Sequence, residues 1–104
     1  MLPTRNAWEI IAAVKDFEIL ASSPLLVSHV RNPGGRGGVR VHAGRVGADF
    51  AVRVEESGRT PVLTTYGSAQ AAVHAFNDEL RRAQRAGMTS IPEPVDLRPA
   101  DIEG

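Results

Sequence analysis

The chain contains no cysteine, one lysine, few aromatic residues (5%) and no formal net charge. The missing cysteine excludes disulfides, thiolate zinc sites and cysteine nucleophiles, while leaving the redox compartment open. No stretch approaches the roughly 20 apolar residues that a membrane-spanning helix needs. The start, MLPTRNAWEIIAAV, is broken by charge at Glu9 and lacks a signal peptide's apolar core and small-residue cleavage site. A soluble, cytoplasmic protein without membrane contact is therefore expected. With Tyr66 the sole tyrosine and no excess of positive charge, the general features of a nucleic-acid binder are also thin.

What is present fits one small domain. At 104 residues, 42% hydrophobic and 23% charged, the chain can bury a single core but has no room for separate cofactor and substrate domains. Its charge is uneven. Arg31, Arg36, Arg40, Arg45 and Arg53 against Asp49 give residues 22–54 a charge of +4, whereas Glu93, Asp96, Asp101 and Glu103 against Arg98 leave residues 89–104 at −3. The split predicts that the acidic end folds back on the basic middle. The arginine excess matches a coding bias that also enriches alanine and glycine at least as well as a need for flat bidentate donors.

The elements follow from periodicity and caps. Asn6 and Glu9 form a capping box, and Ala7, Ile10, Ile11, Val14, Phe17 and Ala21 repeat at helical spacing, so a first helix is expected to run up to Ser22, Ser23 and Pro24. LLVSHVR (25–31), VRVHA (39–43), the alternating run from Ala48 to Glu55, and TPVLTTY (60–66) read as four strands of a meander. GRVG (44–47) reads as a bend or bulge, and Pro61 suits a strand start or an edge. Ser68 is a natural N-cap for a second helix with the buried stripe Ala72, Val73, Phe76, Leu80 and Ala83, closed by Gly87. The fold class is α+β: a single domain over 1–88, helix, four-stranded antiparallel meander and helix, with both helices on one sheet face. Residues 89–104 form an extended, Pro-rich, acidic tail, either disordered or laid along something.

The order helix, strands, helix resembles the double-stranded RNA-binding domain over about residues 6–86. That family grips phosphates with lysines at the start of its second helix, where this chain has Ser68, Ala69, Gln70, Ala71 and Ala72. The resemblance therefore implies the topology without those contacts.

RNPGGRGGVR (31–40) holds four glycines, but strand follows where a phosphate loop or a dinucleotide fingerprint needs a helix. It reads as a hairpin loop. Pairing Arg31 with Arg40 and His29 with His42 would gather His29, Arg31, Arg40 and His42 on one sheet face, joined by Arg53, with Arg36 in the loop. Leu26, Val39, Val41, Val52 and Val54 would lie beneath the helices, leaving the other face bare. Two imidazoles without a carboxylate make an incomplete metal set. Ser22, Ser23 and Ser68 have cap or turn roles, so no catalytic residues, metal or cofactor are assigned. The expected function is a small non-enzymatic protein-binding module or regulatory subunit using the open sheet face or the tail, with a protein partner or a second copy of the chain. The alternative is a nucleic-acid-binding protein whose hairpin over 29–53 contacts phosphates.

Overall fold

Val41, Val52 and their alternating neighbours form the centre of one antiparallel sheet. In a computed structural model, which describes residues 16–28 and 37–103, the elements are β1 (Phe17–Ser22), β2 (Leu26–Ser28), β3 (Gly38–Val46), β4 (Asp49–Glu56), β5 (Val62–Tyr66), α1 (Ala69–Arg85), β6 (Met88–Thr89) and α2 (Ala100–Glu103). The order across the sheet is β5-β4-β3-β2-β6, with β1 also paired to β3 on the β2 side. The expected meander is thus present from β2 to β5, and β3 is its central strand.

The helix expected to run up to Ser22 does not extend over Phe17–Ser22. Its capping residues and most of its stripe lie outside the described residues, but Phe17–Ser22 is strand, paired Phe17↔Val46 to Ser22↔His42. Two pairings explain the misreading. Ile19 faces Gly44 and Ala21 faces Ala43, so Leu20 is an extra residue, a bulge that shifts the alternation by one. The period-2 signal was broken there, and Phe17 and Ala21 happened to keep helical spacing. Without β1 much of β3 would present unpaired amides and carbonyls, and that cost overrides local propensity.

Gly44 makes the bulge sterically feasible, since a Cβ there would run into the Glu18 carbonyl and sit 3.1 Å from the Phe17 ring. The bend expected at 44–47 is narrower: β3 continues to Val46, and a two-residue turn begins at Gly47, whose φ of +60° suits a primed hairpin turn. Past Ser22, Ser23 stitches the chain to β3 across Pro24. Its amide donates to the Val41 carbonyl (2.8 Å) and its hydroxyl accepts from the Val41 amide (2.9 Å).

Leu26, Val39, Val41, Ala43 and Val52 make one face, against which α1 lays Ala69, Ala72, Val73, Phe76, Leu80 and Ala83, the expected stripe. Ser68 caps the helix by accepting from the Ala71 amide (3.2 Å), and Gly87 follows its end at φ +87°. The tail belongs to the fold. Asn77 clamps Leu97, donating from Nδ2 to its carbonyl (3.0 Å) and accepting its amide at Oδ1 (2.8 Å), while Arg81 binds Asp96 at 2.6 Å. Ile102 of α2 is fully buried in the same core. The acidic end therefore anchors chiefly on α1. The basic middle meets it at Arg45, whose Nη2 donates to the Glu103 carbonyl (2.9 Å).

Candidate functional site

The face of the sheet away from α1 is not bare at its centre. In β3, even-numbered residues point to it, and in β4 odd-numbered ones do, because the pairs Arg40↔Glu55, His42↔Arg53 and Gly44↔Ala51 share a side. The bulge at Leu20 brings Phe17, Ile19 and Ser22 to the same side. Here Ala51 is fully buried, His42 is 6% exposed and Phe17 8%. The Phe17 ring lies against Gly44, and the Arg53 guanidinium stacks over it at 5.2 Å.

The polar groups on this face form a chain. Ser22 Oγ is 2.7 Å from His42 Nδ1, and His42 Nε2 is 3.2 Å from Glu55 Oε1. The same Glu55 oxygen takes a bond from Arg53 Nη2 at 2.8 Å. The carboxylate can only accept, so it fixes the imidazole tautomer: Nε2 carries the proton and Nδ1 presents its lone pair to the Ser22 hydroxyl. Burial lowers the His42 pKa below its ordinary 6.5, helped by the Arg53 and Arg40 charges and opposed by the charge and hydrogen bond of Glu55. The ring is therefore neutral at pH 7. Ser22 itself is exposed, at the end of β1.

Of the residues expected to form a surface, Arg40, His42 and Arg53 meet on this face. His29, Arg31 and Arg36 lie outside the described residues. The register differs from the expected one, since Leu26 pairs with Val39 and Val27 with Gly38, which places Ser22 rather than His29 across from His42. The expected register missed the irregular path through Ser23, Pro24 and Leu25, where three residues span two of β3.

From sequence Ser22 has only a cap or turn role, Phe17 belongs to a helical stripe and Glu55 to a strand, so none of the three is expected at this cluster. Glu55 could have been, because its alternation with Arg53 along β4 already put both on one side. Ser22 could not, since its position depends on the bulge. Beside the cluster a shallow depression of about 220 Å³ is walled by Leu25, Gly38, Arg40, Glu55 and Ser57.

A second feature lies at the sheet margin. Among the described residues β5 pairs with β4 alone, and its sequence, VLTTY, carries no charge. Between it and α1 runs a groove of about 220 Å³, lined by the apolar side chains of Val54, Val62 and Ala75 and by the charged ones of Glu56, Glu79 and Arg82. Val62 is 61% exposed. Among the described residues no three metal-ligating side chains cluster, and no helix is long and apolar enough to cross a membrane. Comparison with protein-family models, with curated proteins and with solved structures finds no match to this chain.

Proposed function

We propose that the protein is a small protein-binding module that takes up an extended segment of another polypeptide as an added strand on β5. The observation that carries this reading is the margin of the described sheet: an uncharged, β-branched edge strand beside a groove of mixed polar and apolar lining. Edge strands are ordinarily blunted by lysine, inward charge or proline, because their free amides and carbonyls invite another chain. Here Pro61 precedes the strand and nothing within it repels a partner. An added strand would form main-chain bonds to β5 while its alternate side chains enter the groove against α1, the arrangement by which sheet edges read peptides. Strand addition needs no chemical step.

The phosphate-binding alternative has less support. Arg53 is bound to Glu55 and Phe17, and Arg45 points to the opposite face, over the Phe50 ring at 5.0 Å. A random-peptide display selection on the immobilised protein tests the reading. Selected peptides are expected to be extended and apolar at alternate positions, to shift the amide resonances of Val62–Tyr66, and to lose binding to Val62→Lys but not to Arg40→Ala. Peptides that bind Val62→Lys equally well overturn it. So does binding of a mixed-sequence oligonucleotide that falls by orders of magnitude between low and moderate salt.

A further inference from the structure

The Ser22, His42 and Glu55 chain lies on the sheet face opposite α1, apart from the β5 groove, and strand addition does not use it. Three features distinguish it from an ordinary polar pair. The carboxylate holds the ring so that its bare nitrogen faces the hydroxyl at 2.7 Å, which is the relation between nucleophile, base and orienting group that acyl transfer needs. The ring is buried while the hydroxyl is exposed, so water and substrate can reach the oxygen without solvating the base. Finally, the depression that meets this chain at Glu55 offers Leu25 as an apolar wall and the exposed Arg40 as a cation.

From this geometry we propose that Ser22 is an activated nucleophile that accepts an acyl group from small carboxylic esters. Ser22 Oγ bonds to the carbonyl carbon as its proton passes to His42 Nδ1, and Glu55 stabilises the imidazolium. The leaving alkoxide departs with that proton. Water then attacks the acyl carbon, giving its proton to Nδ1, and the bond to Ser22 breaks as the serine regains a proton. The net change is ester plus water to acid plus alcohol. Arg40 is the cation available to the oxyanion. The nitrogens are used in the reverse sense from the familiar serine-protease triad, which leaves the proton relay unaltered. His42 neutrality at pH 7 supplies the base in its working form.

The test is covalent labelling of the full chain with a fluorophosphonate and with p-nitrophenyl acetate, the adduct being located by peptide mass mapping. Ser68, an exposed hydroxyl that caps α1, serves as the internal reference. General-base assistance accelerates such steps by about 10²-fold or more, so Ser22 is expected to label at least about 100-fold faster than Ser68. The rate should climb as His42 loses its proton and level off above its pKa. Glu55→Gln, at a half-exposed position, should slow labelling of Ser22 without altering the urea midpoint by more than a surface change does, and His42→Gln should remove the rate advantage. Labelling of Ser22 no faster than Ser68, or a rate indifferent to both substitutions, overturns the proposal.

Discussion

Gly44→Ala is the sharpest probe of the fold, because the added methyl would meet backbone on one side and a packed ring on the other. The Glu18 carbonyl oxygen would lie far inside the roughly 3.3 Å at which carbon and carbonyl oxygen normally touch, with the Glu18 carbonyl carbon at 2.8 Å and Phe17 Cε1 at 3.1 Å. No rotamer change relieves a clash with a main chain, so β1 must lift from β3 at its bulge. Overpacking of this kind costs about 1–3 kcal/mol, and loosening the neighbouring ladder bonds adds about 1 kcal/mol. A total of about 3 kcal/mol is a large part of the stability of a domain this size, and at about 4–8 °C per kcal/mol it should lower Tm by roughly 12–24 °C. Gly47→Ala is the control. Nothing lies within 4 Å of a Cβ there, so only the left-handed backbone (φ +60°) is penalised, by about 1 kcal/mol. Urea unfolding of both variants decides the matter. If Gly44→Ala is no less stable than Gly47→Ala, β1 does not pack on β3 through a bulge at Leu20.

Two further outcomes are expected. Ile102→Ala empties a fully buried position and should cost about 3 kcal/mol in urea unfolding; a cost below about 0.5 kcal/mol, the range of surface changes, would show that α2 is not part of the core. His42 has a lowered folded pKa, so its contribution is fully present above the unfolded value of about 6.5 and is lost as pH falls from there through the folded pKa, because the unfolded chain takes up the proton first. Thermal unfolding between pH 8 and 5 should therefore decline more steeply for the native chain than for His42→Gln, and parallel curves would refute the assignment.

The parts of the fold that sequence made legible are those where local chemistry and tertiary context agree. Ser68, the apolar stripe from Ala72 to Ala83, and Gly87 define α1 from cap to close, and the alternation from Ala48 to Glu55 defines β4. Where the chain breaks its own period, the reading failed. Leu20 inserts one residue into β1, and Ser23 to Leu25 insert another before β2, so neither the strand nor its register could be seen by counting. The site suffered most, because Ser22 reaches His42 through the first of these irregularities, whereas Arg40, His42 and Arg53 sit on regular strands and were placed correctly with respect to one another. The tail was illegible for a different reason. Its anchors, Leu97 and Ile102, are separated by proline and polar residues that carry no period, and its docking depends on Asn77, a helix residue whose amide imitates a strand.

The charge pattern shows why adding up residues does not say which cations are free to meet a partner. The middle of the chain counts as +4, yet two of its arginines are used inside the protein. Arg53 is 16% exposed at its side chain, bound to Glu55 and stacked on Phe17. Arg45 is stacked on Phe50 and donates to the Glu103 carbonyl. Both tasks require a flat cation that can lie on a ring and still point a donor sideways, which an ammonium cannot do. At these two positions the arginine is therefore explained by packing. Arg53 and Phe17 lie on the same sheet face as Gly44, Ala51 and the buried His42, so the surface that counts as basic in the sequence holds a neutral imidazole among its cations, and the chemistry proposed for it is that of the hydroxyl beside that ring.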